Sequence, residues 1–346
     1  MDLCVGCKGC KRDCPTGVDM AKMKIEFLSH YKKRHGHTLK DRLIARLPDY
    51  AQAASRVPWL FNLRNSVPGA RWLGEKMLGL SAKRSLPAWR SDTFWRSADA
   101  STMFVSREQA VALAREGRPV AVLFVDTFNG NFESENALAA ARVLAAAGYA
   151  LHTVQKDGGH HCCGRTYLAG GMVEEAKARA GALIDALLPL AEAGIAIVGL
   201  EPSCLLTLRD EALVMGLGAK AETVGAQALL FEEFIAREMK AGRFRLALKA
   251  ADKPILLHGH CHQKAFGAVS PILEVLKLIP GAKPELIESS CCGMAGSFGY
   301  EASHYEVSMQ MAEASLLPAV RNKPDAVVVA DGTSCRHQIA DGAQRE

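Results

Sequence analysis

The stretch IAIVGLEPSC (Ile195–Cys204) returns near the end of the chain as AVVVADGTSC (Ala326–Cys335). In both, a short apolar, β-branched run ends in a polar turn that carries a serine and then a cysteine. Runs of this length bounded by Gly, Pro, Asp and Ser read as buried strands rather than helices. Outward from each copy the agreement continues. Cys162-Cys163-Gly164 recurs 129 residues later as Cys291-Cys292-Gly293, against a shift of 131 between Cys204 and Cys335. The first copy reads as strand 119–125, helix 134–147, strand 151–154, the paired-cysteine loop, helix 174–193 and strand 195–200. The second reads as strand 254–257, helix 271–278, the paired-cysteine loop, helix 305–320 and strand 326–330. Short strands alternating with alanine-rich helices are the pattern of an α/β fold with mostly parallel sheets, so two pseudo-equivalent halves are expected. Each half is expected to place its cysteines on loops at strand ends, where open α/β sheets hold their ligands.

Upstream the texture is helical. Residues 19–35, 39–56 and 70–80 carry apolar positions among lysines and arginines, with breaks at Gly36, Pro58 and Pro68. Residues 85–101, with Pro87 and many polar side chains, read as a linker. Basic residues concentrate between Lys22 and Arg46, and all four tryptophans, Trp59, Trp72, Trp89 and Trp95, follow. Two readings fit this pattern: solvated helix faces with tryptophans in a local core, or docking on an anionic membrane surface or a partner subunit.

A chain of 346 residues has room for two or three domains and a sizeable core. With 49% hydrophobic and 23% charged residues it is neither disordered nor fibrous. No apolar run reaches the ~18 residues of a membrane span. A net charge of +5 is too mild to argue for nucleic acid. The N-terminus starts almost on the first candidate ligand, which leaves no room for a signal peptide and predicts a cytoplasmic chain. In that compartment clustered cysteines act as ligands or redox groups rather than as disulfides.

The 11 cysteines are grouped. Cys4, Cys7, Cys10 and Cys14, followed by Pro15, read C-x2-C-x2-C-x3-C-P. The first three suit three corners of a cubane [4Fe-4S] cluster, and in two-cluster modules the fourth ligates the other cluster. No second copy of the motif exists in the sequence, so the missing thiolate comes from upstream sequence, a partner subunit or nowhere. A zinc knuckle is the alternative, although structural zinc usually takes two separated pairs. Side chains of adjacent cysteines diverge, which rarely suits one zinc ion but can suit a multi-iron cluster, a non-cubane one included. Cys261, Cys291, Cys292 and Cys335 supply four thiolates for such a site. Zinc, a redox-active thiol pair and simple thiol packing are its alternatives. The first half offers Cys162, Cys163 and Cys204, and its position matching Cys261 falls at Phe128 or Asn129. Those three thiols either hold metal with help from His160, His161 or an outside ligand, or form a degenerate site without metal. His160, His161, His258, His260, His262, His304 and His337 gather on the same loops. They either bond to sulfur or pass protons, or are satisfied by loop backbone. No dinucleotide fingerprint, P-loop or nucleophile elbow is present, so a flavin site inside this chain and a hydrolase are unsupported, and no catalytic residue is assigned.

Five strings carry a resemblance: DLCVGCKGCKRDCPTGVDMAKMKIEF, GLEPSCLLTLRDE, HGHCHQKA, SSCCGMAGSFGYEASHYEVSMQMAEASLLPAV and VADGTSCRHQIADG. In these the chain resembles the iron–sulfur part of respiratory FAD-linked 2-hydroxy-acid dehydrogenases. The type is the large D-lactate or D-2-hydroxyglutarate dehydrogenase that joins, in one polypeptide, a flavin oxidase domain to a C-terminal ferredoxin-plus-CCG region. The chain is also similar to glycolate oxidase iron–sulfur subunits, to the C subunit of anaerobic glycerol-3-phosphate dehydrogenase and to the B subunit of heterodisulfide reductase. With the texture changes above, this implies a helical ferredoxin-like [4Fe-4S] domain over 1–85 and a linker over 86–117. A first CCG α/β domain with a degenerate site follows over 118–250, and a second over 251–346. The resemblance implies clusters that relay electrons from FAD, held on a partner or upstream domain, to a quinone or another acceptor. It implies a cytoplasmic location, or a peripheral one on the inner face of the membrane, and no nucleic-acid partner. The flavin domain and first ferredoxin motif of such proteins are absent, and the sequence stops soon after Cys335. The expectation is therefore a separate subunit or the C-terminal part of a longer polypeptide, unable alone to oxidise a hydroxy acid. Its rivals are a heterodisulfide-reductase-like thiol/disulfide enzyme and a zinc-stabilised interaction scaffold.

Overall fold

A computed structural model describes residues 1–156 and 159–345. They form two compact units, one of Arg46–Pro58 and Trp89–Ala247, the other of Met1–Ala45, Trp59–Ala88 and Leu248–Glu346. Both are α/β with parallel main sheets, as the alternating pattern implies, and the second unit includes most of the helical N-terminal part.

In the first unit the strands are β1 (Val120–Phe124), β2 (Ala150–His152), β3 (Gln155–Lys156), β4 (Gly159–His160), β5 (Ala196–Gly199) and β6 (Ala228–Leu230). The main sheet has the order β2-β1-β5-β6 and is parallel throughout, while β3 and β4 make a small antiparallel pair. Every residue of β1 and β5 is buried, which is why both read as unbroken apolar runs instead of alternating ones. Parallel neighbours need crossovers. Helices Ser134–Ala146 and Val173–Glu192 supply them, the latter burying Ala180, Leu183, Ile184, Leu187 and Leu190 along one face. Each such fully buried leucine contributes about 1.5–3 kcal/mol of transfer free energy. β6 was not legible as a strand, because Ala-Leu-Leu between two helices has helical composition. Within 86–117 the chain forms helices Ala98–Met103 and Arg107–Arg115, the second closed by a Ser106–Gln109 capping box.

In the second unit β7 (Ile255–Leu257), β8 (Pro284–Leu286) and β9 (Val327–Val329) form a parallel sheet in the order β8-β7-β9. Asp19 caps helix Met20–His35 by accepting from the amides of Ala21 and Lys22. Two expected helices are interrupted, each by a proline that lacks the N–H and crowds the preceding turn. The helix read over 305–320 splits into Tyr305–Glu313 and Leu316–Arg321, with Pro318 near the start of the second piece. The helix read over 39–56 splits into Leu39–Ala45 in this unit and Leu47–Ala54 in the first, with Pro48 in the first turn of the latter. The four tryptophans divide. Trp89 packs against Tyr50 and Phe132, and Trp95 against Phe94, whereas Trp59 and Trp72 are 66% and 60% exposed. Among the described residues no helix is long and apolar enough to cross a membrane.

Candidate metal centre

β7 runs into His258-Gly259-His260, and a helix, Cys261–Ala265, starts at once. The His260 ring accepts the His262 amide at 3.2 Å while Gln263 accepts the His260 amide at 3.0 Å, so the helix is capped at the cysteine. β9 leads in the same way into helix Thr333–Ala343, whose third residue is Cys335. A side chain at the cap residue Gly332 would meet the His260 ring at 2.4 Å, so only glycine lets the two strand ends approach. The paired cysteines come from a turn fixed by Gly293, which has φ 84° and whose missing Cβ would lie 2.3 Å from the Ser308 carbonyl. These three segments converge. The sulfurs of Cys335 and Cys292 are 3.5 Å apart, and Cys261, Cys291 and Cys292 contact one another in series. The Gly293 amide donates to Cys291 Sγ at 3.4 Å. The single cysteines thus stand in the first turns of helices rather than on the loops expected from the sequence.

The buried thiols resist ionisation. The contact with Cys291, followed by burial, pushes Cys261 well above the usual thiol range. For Cys292 the contact with Cys291 favours the thiolate, but the contact with Cys335 and burial outweigh it and the thiol rises. Four adjacent thiolates therefore need a cation, and binding one releases protons. The Lys264 ammonium is close enough to be attracted by all four sulfurs, though burial lowers its pKa. It donates to the carbonyls of Ser289 and Ser290 at 2.5 and 3.0 Å. An imidazole nitrogen of His258 lies with Cys292 and Cys335 in a group whose ligand atoms are within 4.8 Å of one another. Soft thiols, a glycine turn and a neighbouring cation fit a thiolate-bound metal or iron–sulfur cluster.

The N-terminal loop lies in the same unit. Gly6 and Lys8 both take the left-handed conformation, at φ 63° and 60°, and so wrap the backbone around Cys7. Burial raises the Cys7 thiol; the Gly9 amide opposes this, and the nearby sulfurs of Cys261, Cys10 and Cys4 add to it. The loop is anchored where His262 Nε2 lies 3.1 Å from the Gly6 carbonyl and Lys24 donates to the Cys4 carbonyl at 2.5 Å. Cys14 Sγ bonds within its own turn, to the Thr16 hydroxyl at 3.1 Å and to the amides that follow, and these bonds hold its thiol below the ordinary value.

In the first unit Cys162, Cys163 and Cys204 also meet, Cys163 touching both others. The Gly164 amide donates to Cys162 Sγ at 3.2 Å, and Gly164 repeats the left-handed turn with φ 85°. Cys204 sits in the first turn of helix Pro202–Arg209, as Cys335 does in its own. Strand register now fixes the fourth position. Val198 pairs with Leu123 as Val329 pairs with Leu257, so the cap Asp126 matches the cap His260 and Thr127 matches Cys261. Phe128 and Asn129, one and two residues later, are not the matching positions. Offsets from the paired cysteines could not show this, because the first copy is longer between its strands.

Several histidines bond to protein groups. His160 lies 3.4 Å from Asn131 Nδ2, His304 3.1 Å from Asp2 Oδ2, and His337 2.6 Å from the Tyr300 hydroxyl. Sequence reasoning missed Lys264 and Ser289. The signal for Lys264 was its place in HGHCHQKA, one helical turn after the cap His260, but that segment reads as a loop.

Residues 126–209 and 255–340 match the cysteine-rich domain family, CCG. The chain therefore carries two copies of the cysteine-rich domain, one in each structural unit. Among known proteins it is similar to D-2-hydroxyglutarate dehydrogenase of Escherichia coli (strain K12), 27% identical over 344 residues, which is 98% of this chain and 32% of that protein. It is 26% identical to the Pantoea ananatis protein of the same name, with the same coverage. It is 25% identical over 287 residues to the C subunit of anaerobic glycerol-3-phosphate dehydrogenase from Escherichia coli (strain K12), covering 81% of this chain and 67% of that protein. The chain thus spans about a third of the length of the first two. No solved structure matches it.

Proposed function

We propose that this chain is the iron–sulfur electron-transfer part of an FAD-linked D-2-hydroxy-acid dehydrogenase, delivering electrons to a quinone or another carrier. Cys261, Cys291, Cys292 and Cys335 would hold one centre, and Cys4, Cys7 and Cys10 three corners of another, with Cys14 free for a further ligand role. Cys162, Cys163 and Cys204 form the degenerate site. Iron–sulfur clusters, when bound, exchange single electrons. The observation that supports this reading most is the adjacency of Cys7 and Cys261, which sets two thiol groups side by side in one unit. The chain's own residues supply thiolates, the Lys264 charge and the close-packed glycine turn that excludes water. The domain bounds 1–85, 86–117, 118–250 and 251–346 belong to this proposal, as does the FAD-bearing domain or subunit as electron donor. The location proposed is cytoplasmic, with peripheral attachment at the inner membrane face through exposed Trp59, Trp72 and Met77 and the neighbouring Arg71.

The test mixes anaerobically prepared chain with the flavin oxidase part of the related dehydrogenase and adds D-2-hydroxyglutarate or D-lactate. Loss of the chain's visible absorption without turnover of disulfides is expected. Disulfide turnover instead would favour the heterodisulfide-reductase-like reading. A zinc-stabilised scaffold is a second reading, favoured by the grouping of one imidazole with Cys292 and Cys335.

A further inference from the structure

His258 is 1% exposed and follows directly on β7. Its Nδ1 lies 2.9 Å from Ser289 Oγ, while its Nε2 is buried with no hydrogen-bond partner among the described residues. A buried ring nitrogen without a partner is costly unless it faces a group it can serve. The sulfurs of Cys292 and Cys335 lie within 4.8 Å of one nitrogen of this ring.

The hydrogen-bond geometry favours one placement of the ring proton. Lys264 Nζ, which can only donate, gives one hydrogen bond to Ser289 Oγ at 3.2 Å. The single hydroxyl hydrogen of Ser289 then goes to His258 Nδ1 at 2.9 Å, since its other acceptor, the Ile287 carbonyl, is at 3.5 Å. With Nδ1 accepting, the neutral ring carries its hydrogen on Nε2, and a nitrogen bearing hydrogen is a donor, not a metal ligand.

We propose that His258, oriented by Ser289 and Lys264, donates an Nε2–H hydrogen bond to sulfur of the centre held by Cys261, Cys291, Cys292 and Cys335, and so raises its reduction potential. This rests on the iron–sulfur reading above. Donors facing a cluster's sulfurs stabilise the form with more negative charge. The Nε2 proton stays on nitrogen throughout; the sulfur charge it faces grows when one electron arrives from a flavin-class donor.

The experiment is a redox titration of the full chain followed by electron paramagnetic resonance, with iron and acid-labile sulfide assayed on each sample. Cys335→Ser identifies the signal that belongs to this centre. In His258→Leu the ratio of reduced to oxidised centre at a fixed potential is expected to fall about tenfold, equivalent to about 59 mV for a one-electron couple. Iron content stays at the wild-type value. His258→Gln, which keeps an N–H donor, retains most of the wild-type midpoint, and Ser289→Ala moves it part of the way towards that of His258→Leu. A midpoint unchanged in His258→Leu overturns the inference alone. Loss of this centre's iron from both the Leu and the Gln variant also overturns it, by making the imidazole a ligand. Wild-type protein without iron at this centre overturns the proposed function, and the inference with it.

Discussion

Beside the thiols of the first cysteine-rich copy lie Asp126 and Glu201, 2% and 3% exposed; their counterparts in the second copy are His260 and Gly332. Thr127 stands for Cys261. Gly130 stands for Lys264, and there the Trp95 indole occupies the space a side chain would need, 2.7 Å from where a Cβ would be. Yet both copies keep the same three parallel strand ends, helices starting just beyond them and the left-handed Cys-Cys-Gly turn. The fold therefore does not depend on the fourth thiol, and the two copies carry different side chains on a common scaffold. Where the second copy offers four thiols and an ammonium, the first offers three thiols and buried carboxyls, which disfavour additional negative charge.

The sharpest way to break this contrast is to remove one sulfur from each copy. Cys335→Ser is expected to abolish the iron of the C-terminal centre, whereas Cys204→Ser leaves total iron and sulfide unchanged, as chemical analysis would show. Equal losses would mean the copies are not functionally different.

Next in size is a test of what they share. Gly293→Ala and Gly164→Ala force a methyl into a left-handed turn, 2.3 Å from the Ser308 carbonyl and 2.6 Å from the Ala176 carbonyl respectively. Each should lose about 2–4 kcal/mol in urea unfolding. A variant unfolding at the wild-type urea concentration would show that its turn is not the one described.

Electrostatics separates them again. Burial, helped by Glu201, raises the Asp126 carboxyl from 3.8 to about 6. Because the folded value is the higher one, the protonated form's stability is fully present below pH 3.8 and is lost as pH rises through about 6. Asp126→Asn should therefore stabilise the first unit by up to about 3 kcal/mol at pH 8, and by little at pH 4. Thermal unfolding at the two pH values measures this, and a pH-independent difference would refute it. The smallest effect belongs to Lys264→Met, which leaves the Ser289 and Ser290 carbonyls without their donor and should cost about 1–2 kcal/mol in urea unfolding. An unchanged midpoint would show that the lysine holds nothing in place.

The strands containing Val120–Phe124 and Ala196–Gly199 were legible because burial on both faces demands unbroken apolar runs. β8 was not, since Pro284, Glu285 and Leu286 are half-buried or exposed at an edge and keep no apolar pattern. The cysteines were legible as groups, because soft ligands cluster in sequence as well as in space. Their helical placement was not: the signal at Cys261 is a histidine cap, which sequence rules do not anticipate. The convergence of Cys7 with Cys261 depends on contacts between segments about 250 residues apart, which no local pattern encodes.

The central claim is that Cys261, Cys291, Cys292 and Cys335 grip an iron–sulfur centre. Iron, zinc and acid-labile sulfide, quantified together in anaerobically purified chain and in Cys291→Ser, test it most directly. The account predicts iron with matching sulfide, little zinc, and a loss of both iron and sulfide in the variant. Stoichiometric zinc without sulfide, unchanged by loss of the paired thiol, would contradict it.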